Sequence, residues 1–183
     1  MSLTPSEFED AYLVTGDAPR ASGCNSGAEG WEIGRRPIAE AVHRGGSFLD
    51  VGCANGLLME SIAGWSQHPL EPYGLDFAPR LVELARSRLP QWTNRIFLGD
   101  VLEWQPPRRF DFVRTELVYA PPDRERELVE RLLGWLEPGG RLIVCGYGDP
   151  VRVRLRAWGV EHELELEWRS ATGRLNELAA IGS

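Results

Sequence analysis

The sequence predicts an α/β fold, a mostly parallel sheet with helices on both faces. Three observations carry the prediction. Short apolar runs that suit buried strands alternate with stretches of helical periodicity along most of the 183 residues. The first three of these runs lead into aspartates, Asp50, Asp76 and Asp100. The first also passes through Gly52 and Gly56 directly into Leu57-Leu58-Met59-Glu60, which is good helix material. Parallel strands need a crossover between them, and a regular strand–helix alternation supplies it.

Taken in order, Thr4-Pro5-Ser6-Glu7 reads as a capping box with proline at the first helical position. The short helix that it opens would put Phe8, Ala11 and Tyr12 on one side. The stretch from Gly16 to Gly30, rich in Gly, Ser, Ala and Asn, reads as a flexible loop and as a candidate lid. Trp31 to Arg44 reads as helix interrupted or restarted at Pro37 and stopped by Gly45-Gly46. Phe48, Leu49 and Val51 make the opening strand, and the glycine turn and helix follow. Tyr73-Gly74-Leu75-Asp76 is a second short strand, and Pro79 opens a helix carrying Leu81, Val82, Leu84, Ala85 and Leu89, stopped by Pro90. Arg95–Leu98 is a third strand, followed by Gly99-Asp100. Phe110 to Val113 begins a fourth, and Asp123 to Leu136 is a helix with apolar residues at 128, 129, 132, 133 and 136. Pro138-Gly139-Gly140 turns the chain into a fifth strand, Leu142–Cys145.

The tail gives conflicting signals. Val151–Arg156 and His162–Trp168 both alternate with period two, as an Arg/Glu-paired hairpin around Trp158-Gly159 would. Val151, Leu155 and Trp158 also fit one helical stripe. The reading adopted is a helix over about 150–158 and strands over about 160–169 and 174–181.

Composition bounds the function. The length suits one domain with a proper core. A hydrophobic share of 43% with 26% charged residues is that of a globular protein. A net charge of −7 argues against a nucleic-acid backbone as the main partner, which would call for a basic face. Cys24, Cys53 and Cys145 are scattered and odd in number, so reduced thiols and a cytoplasmic location are expected. His43, His68 and His162 form no ligand pair, so no metal is expected. No apolar run approaches the about 20 residues of a membrane span, and no signal-peptide pattern opens the chain.

A strand, a glycine turn and a helix N-terminus together suit a nucleotide-like ligand, since backbone can approach closely and amides are left free. In an open α/β sheet such ligands sit beyond the carboxyl ends of the strands, so Asp50, Asp76 and Asp100 should line one crevice. Asp76 lies 20 positions beyond Gly56, which suits a carboxylate gripping a ribose diol. A dinucleotide is disfavoured. Asp50 beside Gly52 would repel a pyrophosphate, and Gly52-Cys53-Ala54-Asn55-Gly56 is not G-x-G-x-x-G. An ammonium or sulfonium suits the carboxylates better.

Asp50–Gly56, Gly74-Leu75-Asp76, Gly99-Asp100-Val101 and Leu136–Gly140 resemble, in order, the successive motifs of the class I (Rossmann-like) S-adenosylmethionine-dependent methyltransferases. The resemblance runs from about Trp31 to Ile181. It implies a three-layer sandwich on a mostly parallel seven-stranded sheet with an antiparallel last strand. Residues 1–30 would be an N-terminal helix and lid-like segment, and 31–183 the methyltransferase domain. It implies S-adenosyl-L-methionine as cofactor. Gly52, Cys53, Ala54, Asn55 and Gly56 would face its methionine part, and Asp50 its amino group. Asp76 would take the ribose hydroxyls and Phe77 would pack on the adenine. Asp100 would accept from the adenine amine beside the Val101 amide, and Glu116 and Leu117 would pass the sulfonium and the acceptor. Two departures stand out: Ala54, where glycine is commonest, and Arg114-Thr115 inside a strand that should be apolar.

Displacement at a sulfonium calls mainly for alignment and exclusion of water, so no acid or base is obligatory. Glu116 and Tyr119 are the nearest candidates for a base if the acceptor must lose a proton. No large insertion or basic face marks a macromolecular substrate, so a small-molecule acceptor is favoured, with Trp31, Trp104 and Tyr12 as candidate lining. The rivals are a non-catalytic cofactor- or partner-binding protein of the same fold and, behind it, an NAD-dependent oxidoreductase. Asp76→Ala is expected to weaken cofactor binding severely with little loss of fold.

Overall fold

A computed structural model describes residues 9–10, 12–13 and 17–183. The capping box at Thr4–Glu7 lies outside the described residues. The elements run α1 (Gly27–Arg35), β1 (Gly46–Val51), α2 (Leu57–Trp65), β2 (Leu70–Asp76), α3 (Pro79–Arg88), β3 (Ile96–Leu98), β4 (Phe110–Glu116), α4 (Glu125–Leu133), β5 (Leu136–Tyr147), α5 (Val151–Ala157), β6 (Leu164–Arg169) and β7 (Leu175–Gly182). The seven strands form one sheet in the order β3-β2-β1-β4-β5-β7-β6. The last strand, β7, runs antiparallel to both β5 and β6, and the remaining pairs are parallel. This is the seven-stranded Rossmann-like arrangement that the motif order implied.

Side chains of successive strand residues point to opposite layers. Leu49 and Val51 of β1, Val113 of β4 and Leu142 and Val144 of β5 pack with α4 and α5. Phe48, Phe112, Ile143 and Cys145 face the other layer, with Trp31, Ile38, Leu58 and Ile62. Both faces are therefore covered, as a parallel sheet requires. No helix among the described residues is long and apolar enough to cross a membrane.

Two local readings are corrected, and the interruption expected at Pro37 is present. The glycine- and serine-rich stretch before Trp31 is not a loop throughout. Arg20–Ser22 forms a 3₁₀ turn and α1 begins at Gly27. The helix forms in spite of its glycines because Trp31 is buried against the sheet, which outweighs weak propensity. The α-helix stops at Arg35 and continues as a 3₁₀ segment, Arg36–Ala41, since Pro37 supplies no N–H for the carbonyl one α-turn back and its ring crowds that carbonyl. Pro138-Gly139-Gly140 does not precede the fifth strand but bulges within it. Phe110 pairs with Leu136 and Phe112 with Arg141, so residues 137–140 stand opposite one residue of β4.

The tail is a helix and two strands, as the helical stripe indicated. The Arg/Glu alternation nonetheless reports real pairing, between α5 and the sheet instead of between two strands. Arg152 bonds Glu177 and Glu167, and Arg156 bonds Glu165.

Candidate binding cleft at the strand ends

The strand order brings the tips of β3, β2, β1 and β4 together, and with them Asp100, Asp76, Asp50 and Glu116. The turn after β1 is built from left-handed backbone, with φ of 76° at Gly52, 46° at Ala54 and 76° at Gly56. Ala54 adopts this conformation despite its methyl group, at a cost on the order of 1 kcal/mol. Its N–H is held by Asp76 Oδ2 at 2.8 Å, and Gly52 N–H donates to the Leu75 carbonyl at 2.8 Å.

Asp76 is only 4% exposed. Besides Ala54 it accepts from the Ala78 N–H at 2.9 Å. Burial raises its pKa, and the amides of Ala78, Ala54 and Phe77 pull it back. The residue thus fastens the turn to β2, and the expectation that Asp76→Ala would spare the fold is corrected. Removing the carboxylate strands two buried amides at about 1–3 kcal/mol each. Thermal melts should show Asp76→Ala clearly destabilised and Asp76→Asn, which keeps one carbonyl acceptor, less so.

Arg114, anomalous in the sequence, is the centre of a buried cluster. It stands opposite Asp50 in the register of β4 on β1 and reaches Asp50 Oδ1 at 3.3 Å. It pairs closely with Glu116 on its own strand. It also donates to the hydroxyls of Tyr119 (3.4 Å) and Tyr147 (3.3 Å), and Tyr119 Oη donates to Glu116 Oε1 at 3.1 Å. Asp50 is 1% exposed. Burial lifts its pKa to about 6, with Arg114 pulling down. Burial and the Glu116 carboxylate push the Tyr119 phenol far above its ordinary range.

The remaining sequence-derived residues divide. Asn55 caps α2 through the Leu57 N–H at 3.0 Å, donates to the Ala18 carbonyl at 2.9 Å and meets Ser22 Oγ, so residues 18–22 lean on the turn. Phe77 is 41% exposed on the rim. Asp100 is exposed and accepts from the Leu102 N–H at 2.8 Å. The side chains of Cys53, Val101 and Leu117 belong to the core, leaving only their backbone to face a ligand. Among the aromatic candidates, Trp31 lines the cleft, and Tyr12 packs beside Ala54, Ala78 and Leu81. Trp104 is corrected: it packs between Phe97 and the edge-on ring of Trp135 and is not part of the cleft lining.

Around Asp50, Gly52, Arg114 and Glu116 the cleft is narrow. Its cavity is about 30 Å³, room for about one water. Tyr119 lies on Gly52, where a Cβ would come within 2.6 Å of Cε2. A wider hollow of about 620 Å³, by Trp65 and His68, lies just before β2 begins, at the opposite end of the strands from the carboxylates. Among the described residues no group of three or more His, Cys, Asp or Glu is gathered to hold a metal. Sequence reasoning missed Arg35, Ser22 and Tyr147. Arg114 carried a signal, a charge in an apolar run, whereas Arg35 carried none.

The methyltransferase-domain family matches residues 48–140. Trans-aconitate 2-methyltransferase of Methylobacterium radiotolerans is 36% identical over 97 residues, 52% of this chain and 36% of that protein. The chain thus spans about a third of that relative's length. Among solved structures, the N-methyltransferase NodS from Bradyrhizobium japonicum WM9 in complex with S-adenosyl-L-homocysteine has a TM-score of 0.67 at 19% identity, covering 98% of each chain. The [4+2]-cyclase SpnF has a TM-score of 0.68 at 15% identity, covering 98% of this chain and 97% of that one. At these identities the structural likeness is one of fold.

Proposed function

The chain belongs to the methyltransferase-domain family, and on that premise we propose that it binds S-adenosyl-L-methionine across the tips of β3, β2, β1 and β4 and methylates a small-molecule acceptor. The observation that carries the reading is the row of Asp100, Asp76, Asp50 and Glu116 beside a left-handed glycine turn. The donor set fits a cationic, adenosine-bearing ligand. Asp50 would meet the ammonium and Glu116 would face the sulfonium. Asp76 would take the ribose with the lone pairs that its amide donors leave open. Asp100 would take the adenine amine, with Phe77 packing on the ring. When bound, the sulfonium supplies a methyl group for in-line displacement and leaves as a neutral thioether.

The chain's own part is to align and to exclude water. The part of the cleft between Asp50 and Glu116, which does not include Asp76, Phe77 or Asp100, measures about 30 Å³, far below the several hundred Å³ of an ordinary ligand pocket. Entry therefore has Tyr119 leaving Gly52, and residues 18–22 leaving Asn55. The segment before α1 is read as a lid on this ground. It meets the domain inside α1, since the helix spans the expected boundary at 30–31. Three free thiols suit action in the cytoplasm.

Calorimetry with S-adenosyl-L-homocysteine tests the reading. Asp50, with its pKa near 6, is ionised at pH 7 and protonated at pH 5. Attraction for the ammonium is therefore present above pH 6 and lost below it. The dissociation constant should rise about tenfold from pH 7 to pH 5, about 1.4 kcal/mol, and Asp50→Asn should flatten the profile. Absence of binding at pH 7 would remove the proposal. The engagement of Asp50 and Glu116 with Arg114, which leaves neither carboxylate free as a base, favours a second reading, a protein that binds the ligand but transfers nothing. Tight binding with no turnover on any acceptor would support that one, and heat with NADH alone would support an oxidoreductase.

A further inference from the structure

We propose that Arg35 recognises the acceptor and that the acceptor is a small carboxylate, an inference that rests on the methyl-transfer reading above. Arg35 is the last residue of α1, one turn beyond Trp31, and both line the cleft with Asp50, Gly52, Arg114 and Glu116. Its guanidinium lies 3.5 Å over the Tyr147 ring and 5.3 Å from that of Trp31. Aromatic faces hold such a group by its plane and leave the N–H edge free for a planar anion. Among the described residues that guanidinium makes no ion pair or hydrogen bond, whereas Arg114 beside it holds two acids. A half-buried fork at the mouth of a cleft, stacked but unpaired, is arranged for a carboxylate from outside.

Position separates the acceptor from the donor. Tyr147 ends β5, which lies beyond β4 and on the far side of β1 from Asp76 and Asp100. A donor laid along the tips of β3, β2 and β1 stops short of it. The chemistry agrees. Glu116 is tied to Arg114 and Tyr119, and Asp50 to Arg114, so an acceptor that must lose a proton finds the cleft's carboxylates engaged. A carboxylate needs no base. One of its oxygens forms the new O–C bond with its own lone pair as the S–C pair returns to sulfur, giving a methyl ester and a neutral thioether with no proton moved.

The test titrates succinate, tricarballylate and benzoate, each against its carboxamide, into the wild type, Arg35→Ala and Arg35→Lys, all saturated with S-adenosyl-L-homocysteine. The expected result has at least one carboxylate bound tenfold or more tightly than its amide by the wild type. Arg35→Ala should lose that preference, Arg35→Lys should regain part of it, and S-adenosyl-L-homocysteine should bind the wild type and both variants with affinities within about twofold. Retained product binding shows that the variants are folded. Equal affinity for carboxylate and amide, or no carboxylate bound, overturns the proposal while leaving the donor site standing. So does a large loss of product affinity in Arg35→Ala, which would assign Arg35 to the donor's own carboxylate. Failure of the wild type to bind the product would remove the methyl-transfer reading and this one together.

Discussion

Arg114→Met is expected to destabilise the protein by about 3–5 kcal/mol, because it leaves two acids without their buried counter-ion. Asp50 is essentially inaccessible and Glu116 largely so. In a chain of this size the loss corresponds to a fall of roughly 6–20 °C in Tm, read by thermal melting at pH 7. Lowering the pH toward 5 should recover part of it, since burial raises the Asp50 pKa and the variant lacks the Arg114 charge that pulls it down, so Asp50 takes up a proton and ceases to be an unpaired charge. Combining Arg114→Met with Asp50→Asn should likewise recover stability, by the non-additivity that marks residues in one network. A loss under about 1 kcal/mol would show that the cluster is dispensable to the fold.

The second large effect is at Gly52. Its φ of 76° is costly for any residue with a Cβ, and that Cβ would stand 2.6 Å from Tyr119 Cε2. Backbone strain of about 1–2 kcal/mol and overpacking of about 1–3 kcal/mol should add in Gly52→Ala. Because the same face is the one offered to the donor, affinity for S-adenosyl-L-homocysteine should fall by about a hundredfold, roughly 2.7 kcal/mol. Adding Tyr119→Ala relieves the collision but not the strain. The double variant should therefore regain stability without regaining affinity. Full recovery of both would mean that Gly52 makes room only for Tyr119.

Most of the architecture was legible because it rests on local signals that agree with one another. Alternating apolar runs, glycine after β1 and proline at the start of α3 each act within a few residues. The row of aspartates followed from strand order. What escaped the sequence depends on distance. Arg114 and Asp50 are 64 positions apart, and no pattern in either segment announces that a charge in a strand is matched across it. The Arg/Glu alternation of the tail suggested partners correctly and geometry wrongly, because pairing across a helix and a sheet leaves the same composition as pairing across a hairpin. At Asp76 the sequence offered two roles for a carboxylate at a strand end, ligand grip or turn fastener. In the structure Asp76 fastens the turn, while the grip on the ligand stays with the proposal. The helix at Gly27–Arg35 was hidden by its glycines, since only burial of Trp31 makes it stable.

The cluster around Arg114 also bears on turnover. Asp50 and Glu116 set two carboxylates against Arg114, and Arg35 adds a second cation to the lining of the same cleft. On the proposed reading, the donor brings a sulfonium to that lining and the spent product brings a neutral thioether. The two would then differ at this site by one charge beside Glu116, which favours the donor when both compete for it.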